Sequence, residues 1–428
     1  MRRHVLAVVF LCLLGALAAF GTASAGSGDA TQPNDPVWSY EWGQRLTRAS
    51  DLWQLTTGNP SIVIAVVDTG LSQPLFKAPG GSTPVPDLTQ VLPGWDIVGN
   101  DTNTADDFGH GTWVSSVIGA TGDNGIGMAG YCWKCSIMPV RVAAGRTGAL
   151  APAVAAGIRW SVDHGARIIN VSLASNAFDT DELGAVEYAV DHGVLVVGSA
   201  GNGGDTSPTY PGGYPGVLAV AGTDQSDDLY DWATRGSWVS LAAPGCGEVL
   251  DAGAGPAWAC GSSFAPPVVS GIAGLLMSLD PSLTVNQVTD ALRATAHPVA
   301  GIAGGRIDAW AAAHYLGLAP ANPPVFVPPP PPVPREVFVT TGVVRKSARI
   351  RLNLAGGPLE LQLSGAAAAN CSMSFRAGGN LYLDLPAERN VRSLAATLAA
   401  GSYPITVRCT TTNRKAYELT ATGSFKPS

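Results

Sequence analysis

Charged side chains are scarce in this 428-residue chain: 25 Lys and Arg with 32 Asp and Glu make up only 13% of it, for a formal net charge of -7. With no basic stripe to release counterions from a phosphate backbone, a nucleic-acid partner is not expected. Polar low-complexity tracts are also missing, and 46% of the residues are hydrophobic. That balance excludes a disordered chain and predicts a large core with glycine-rich connections. Long apolar runs are absent apart from one at the extreme N-terminus, so no later segment is expected to cross a membrane. No internal repeat is found. Cysteine is limited to seven residues, one of them, Cys12, inside that N-terminal run.

The N-terminal run is informative. Arg2 and Arg3 precede apolar residues 5–20, and Ala23-Ser24-Ala25 follows. A charged, then apolar, then small-residue order is that of a secretory leader, with cleavage expected after Ala25. The run is shorter than the ~20 residues of a bilayer-spanning helix, which disfavours a retained anchor. The mature chain is therefore expected outside the cytoplasm, extracellular or periplasmic, with no membrane contact and as a monomer.

Export leaves six cysteines, and an even number in an oxidising compartment points to disulfides. Proximity in the chain favours Cys132–Cys135, Cys246–Cys260 and Cys371–Cys409. For the first pair, a redox motif would open a helix and a zinc site would need a second C-x-x-C. Residues 136–142 instead read as a strand, so a structural disulfide is the expectation there.

Residues 31–317 alternate short β-branched runs with helical patterns. Residues 62–67, 168–172, 194–198 and 217–221 are continuous apolar runs. Between them, residues 151–165 and 181–193 carry apolar positions at helical spacing and end on glycine. The fold class predicted is α/β, a parallel sheet covered by helices on both faces. In such sheets functional residues gather beyond the C-terminal ends of the strands. A Pro-rich linker at 319–335 separates this domain, 26–318, from residues 336–428. There, period-two alternation between Gly and Asn turns predicts a small all-β, sandwich-like C-terminal domain.

Three motifs carry chemistry. Val66-Val67-Asp68-Thr69-Gly70 places a carboxylate at a strand end, Phe108-Gly109-His110-Gly111-Thr112 an imidazole at a helix start, and Gly261-Ser262-Ser263-Phe264-Ala265-Pro266 a serine before an apolar helix. Singly, each has an ordinary reading as cap, turn or loop. Together, in the order Asp, His, Ser, they resemble the subtilase family of serine peptidases, in its thermitase-like branch. The resemblance implies a serine endopeptidase acting on polypeptide substrates, with Ser263 as nucleophile, His110 as general base and Asp68 as its orienting partner. Ser262 is the alternative nucleophile by position. Ser199-Ala200-Gly201-Asn202-Gly203 is similar to the family's oxyanion segment, which makes Asn202 a donor to the developing oxyanion.

The same resemblance implies a primary specificity pocket walled by Ser172, Leu173 and Ala174, where the family usually has glycine in place of Ala174. It also implies a substrate-pairing edge at Thr147 and Gly148. Broad specificity with an apolar preference is the expectation. A structural Ca²⁺ is implied at Gly122, Asn124, Ile126 and Met128, with carboxylates from Asp35 and Asp87. The chain departs from the family pattern at Ser262 and Phe264, where Thr and Met are usual, and at Val268, where His is common. Few residues separate Ala25 from the catalytic start, so folding is expected to proceed without an N-terminal propeptide or with help from elsewhere, such as the C-terminal domain. A second reading is a catalytically silent relative that binds through its cleft or its β-domain.

Overall fold

The structure, a computed structural model, describes residues 32–72, 87–145, 149–251 and 255–320, together with the backbone of strands between Glu336 and Phe425. Residues 1–31 and the Pro-rich segment 321–335 lie outside the described residues. Along the first region run strands β1 (Val63–Asp68), β2 (Trp95–Asp96), β3 (Ser136–Arg141), β4 (Ile168–Val171), β5 (Leu195–Ser199) and β6 (Val217–Thr223). They are followed by β7 (Leu241–Pro244), β8 (Cys246–Asp251), β9 (Gly255–Cys260), β10 (His297–Pro298) and β11 (Gly305–Arg306). The helices are α1 (Trp42–Leu46), α2 (Ala49–Leu52), α3 (His110–Gly119), α4 (Ala151–Asp163), α5 (Thr180–Asp191), α6 (Ala265–Leu279), α7 (Val285–Ala294) and α8 (Ala309–Tyr315).

The strands other than β8 and β9 form one sheet in the order β10-β11-β7-β6-β5-β4-β1-β3-β2. Its pairings are parallel except for β10 with β11. Alternate residues of β1 serve opposite cores. Ile64 and Val66 join Val117, Ile118, Val269 and Ile272 of α3 and α6 on one face. Ala65 and Val67 join Val154, Ile158, Ala185 and Ala189 of α4 and α5 on the other. Burial on both faces accounts for the continuous apolar runs, and each fully buried Ile or Val contributes about 1.5–3 kcal/mol. The predicted doubly covered parallel sheet is the one found.

Local chemistry sets the helix starts. The Asp179 side chain accepts from Asp181 N and Glu182 N ahead of α5, which satisfies donors that the first turn leaves unpaired. Proline in the first turn of α6 removes a donor that would have no partner there. One expectation needs correction. Among the described residues the segment Ser262–Leu279 is long and apolar enough to cross a bilayer, but 83% of it is buried inside the protein. It is apolar all round because it is a core helix.

Beyond residue 335 lie seven antiparallel strands: β12 (Glu336–Val344), β13 (Ser347–Ser364), β14 (Cys371–Ala377), β15 (Asn380–Leu385), β16 (Arg392–Leu398), β17 (Gly401–Cys409) and β18 (Lys415–Phe425). Residues 350–354 and 359–363, which read as two strands, belong to the single β13, with a register shift between Leu354 and Leu359. The backbone register sets Cys371 opposite Cys409; the side chains of this pair lie outside the described residues.

Candidate active site

Asp68 ends β1 and is fully buried. Its Oδ1 accepts from Thr69 N at 2.7 Å and lies 2.7 Å from His110 Nδ1. His110 opens α3, brought close by glycine: a Cβ at Gly111 would run into the Gly70 carbonyl. Asp106, which the sequence reading did not single out, secures this approach. Its Oδ1 accepts from Phe108 N, Gly109 N and Thr69 Oγ1, and its Oδ2 accepts from Thr112 N and Oγ1. Thr69 Oγ1 in turn accepts from Gly111 N. Asp106 thus takes up one first-turn donor of α3, Thr112 N, and ties the two loops together. The sequence signal for it was an Asp just ahead of a helix start.

Burial of the imidazole opposes its charged form. The charge and hydrogen bond of Asp68, joined by the charge of Asp106, outweigh that and hold the His110 pKa above its ordinary 6.5. A carboxylate on Nδ1 fixes the ring so that Nε2 is left to exchange a proton.

Ser262 and Ser263 sit in the short turn that enters α6. Their environments separate them. Ser262 is fully buried, its Oγ is 2.7 Å from Ser199 Oγ, and its N–H donates to Asn202 Oδ1 at 2.8 Å. Both serines border an open cleft of about 570 Å³ together with His110, Asn202, Ser172, Leu173 and Ala174, but Ser263 is only partly buried. Ser172 Oγ donates to the Ser263 carbonyl at 2.7 Å, which fixes the backbone of this turn against the pocket wall. Asn202 lines the same cleft, and its Oδ1 is engaged by Ser262 N. A point one methyl out from Gly261 Cα lies 3.7 Å from Asn202 Nδ2 and 3.8 Å from Ser263 N, so the two donors flank a common space. Such a pair can stabilise an oxyanion. Thr147 and Gly148 lie outside the described residues.

Disulfides join Cys132 to Cys135 and Cys246 to Cys260. The second closes the β8–β9 hairpin, whose last residue, Cys260, lines the cleft. This hairpin carries no strong strand signal in the sequence.

The loop at residues 122–128 packs over two buried carboxylates, Asp35 and Asp87. Asp35 Oδ2 accepts from Asp123 N at 2.7 Å, and Asp87 Oδ2 from Met128 N at 2.9 Å. Burial, against the hydrogen bonds of Met128 and Asn124 and aided by the charge of Asp35, pushes the Asp87 carboxyl up to about 6. Asn124 donates its amide to Asp87 Oδ1, while its own oxygen accepts from Ile126 N. Neither carboxylate is paired with Lys or Arg among the described ion pairs. Two buried, mutually repelling carboxylates beside loop carbonyls are a donor set that fits a hard cation, although no group of three acidic, His or Cys ligands occurs among the described residues.

Comparison with known proteins bears on this geometry. Residues 59–319 match the peptidase S8, or subtilase, family. Thermitase of Thermoactinomyces vulgaris is 36% identical over 291 residues, which is 66% of this chain and 99% of thermitase. A thermophilic serine proteinase of Bacillus sp. (strain AK1) is 33% identical over 293 residues, 67% of this chain and 70% of that protein. Among solved structures, a protease from Pseudoalteromonas arctica PAMC 21717 superposes with a TM-score of 0.59 at 25% identity, over 67% of this chain and 100% of that one.

Proposed function

Because the chain belongs to the subtilase family and is a serine endopeptidase, we propose that it cleaves polypeptides through an acyl-enzyme on Ser263, with His110 and Asp68 completing the triad. The observation that carries this reading is the 2.7 Å contact between His110 Nδ1 and buried Asp68, set in the cleft that Ser263 lines. In the first half-reaction the Ser263 hydroxyl oxygen attacks the scissile carbonyl while His110 Nε2 takes its proton. The charge that develops on the carbonyl oxygen is met by Asn202 Nδ2 and Ser263 N. His110 then passes the proton to the departing amine, and the acyl-enzyme forms. Water, deprotonated by the same imidazole, attacks the ester and regenerates the serine. Asp68 stays ionised throughout and steadies the transient imidazolium.

Ser172, Leu173 and Ala174 wall the pocket for the residue before the scissile bond, and Thr147 and Gly148 pair with the substrate backbone. Asp35, Asp87, Asn124 and the carbonyls of Gly122, Ile126 and Met128 would hold a structural Ca²⁺, which neutralises two buried acids. Exchange of the Asn124 amide for its oxygen would complete that set. The leader-like N-terminus and the disulfides support export. Residues 336–428 form a separate β-domain beyond the Pro-rich linker.

Labelling with a fluorophosphonate probe, alongside casein hydrolysis, tests the assignment. The wild type should label and cleave, and Ser263→Ala should do neither. A folded wild type that does neither would instead mark a silent relative acting by binding.

A further inference from the structure

We propose that Asp205 sets the substrate class of the cleft by favouring lysine or arginine immediately before the scissile bond; this rests on the reading of Ser263 as the nucleophile. Asp205 lines the same cleft as Ser263 and the wall formed by Ser172, Leu173 and Ala174. Among the described lining residues it is the single carboxylate, and none of them is Lys or Arg. Its place beside the oxyanion donor follows from Gly203. That residue has no side chain, and a Cβ there would lie 3.2 Å from each Asp205 carboxylate oxygen. The Asp205 carboxylate therefore fills the space next to Asn202 that a side chain at position 203 would otherwise occupy.

The carboxylate is held in orientation but not neutralised. Ser207 N donates to its Oδ1 at 3.1 Å and closes a local turn. Arg235 comes near, but only its backbone N–H reaches Asp205, and it goes to the carbonyl oxygen. The Arg235 guanidinium is occupied by the carbonyls of Ala233, Tyr230 and Asp231. No ion pair to Asp205 occurs among the described residues.

The lining combines apolar Leu173 and Ala174 with one exposed carboxylate, Asp205, a set that suits the apolar stem and cationic head of lysine or arginine. It also narrows the apolar preference read from the sequence, since the apolar wall serves the stem. A glutamate in the same place would set two like charges together at the mouth of a cleft with no described cation. Asp205 is exposed, so solvent screening keeps the discrimination to about five- to tenfold between opposite charges.

The test uses three internally quenched peptides that differ only in the residue before the scissile bond: lysine, leucine or glutamate. For the wild type, the lysine-to-glutamate ratio of kcat/KM should exceed one and shrink in high salt. In Asp205→Asn, which keeps an oxygen for Ser207 N, the ratio should fall about five- to tenfold, and Asp205→Lys should invert it. A ratio cancels any general loss of turnover. An unchanged ratio in both variants, or a charge preference that follows the residue after the scissile bond, would overturn the proposal. Fluorophosphonate labelling of the same preparations keeps the two readings apart. Labelled variants with an unchanged ratio overturn Asp205 alone, whereas wild type that neither labels nor cleaves overturns the nucleophile reading with it.

Discussion

On the proposed triad, His110 carries the pH dependence of the cleft. Its ring is held above its ordinary pKa of 6.5 because the charges of Asp68 and Asp106 outweigh burial. A general base must be neutral to accept the serine proton. Activity should therefore be absent while the ring is protonated and should rise with pH through one ionisation above 6.5. The pH profile of kcat/KM on a peptide amide measures this, and Asp106→Asn should move the rise to lower pH by removing one supporting charge. A rise centred at or below the ordinary histidine value would contradict the geometry. Of the proposed site, the residues with contiguous signatures, Asp68, His110, Asn202 and Ser263, could be read from the sequence. Asp106 and Asp205 could not, because what gives them roles is contact with Thr69 and with the cleft wall, neither of which is adjacent in the chain.

At the scale of elements, the β8–β9 hairpin matters because it delivers the serine turn. Cys246 faces Cys260 directly in register, and Gly261 N donates to the Gly245 carbonyl just beyond. The disulfide closes a separation of 14 residues, for which chain entropy gives about 3 kcal/mol. Replacing both cysteines with alanine should lower the unfolding free energy by about that amount and reduce kcat more than it raises KM. Urea unfolding and steady-state kinetics would show both effects. Unchanged kinetics in a destabilised variant would make the bridge a staple with no part in positioning Ser263. Nearness in sequence paired these cysteines correctly, but the hairpin itself was hidden, since residues 251–256 are mainly glycine, alanine and proline with little alternation. The reverse happened in β13, where Gly356 and Gly357 read as a break and the strand runs through them with shifted register.

For the molecule as a whole, calcium is the test of how the N-terminal arm is tied to the sheet domain. Asp35 lies near the start of the described chain and Asp87 near the end of a long connection, and both meet the loop at 122–128. Calcium at about 100 times its Kd should stabilise the fold by about 2.7 kcal/mol, and Asp87→Asn should remove that increment. Thermal scans with calcium and with chelator would reveal it, and an equal calcium effect in wild type and variant would rule out Asp87 as a ligand. The parallel, doubly covered sheet was determined by the sequence alone, since continuous apolar strands alternating with amphipathic helices have few other ways to bury both faces. The same holds for the order of Asp, His and Ser at strand and helix ends. Only the tertiary structure gave the two serines different surroundings, with Ser262 fully buried against Ser199 and Ser263 partly exposed at the cleft. It alone placed Asp205 in one cleft with Ser172 and Ser263 and the two buried acids beneath one loop. Those outcomes depend on packing between segments far apart in the chain, which local pattern does not encode.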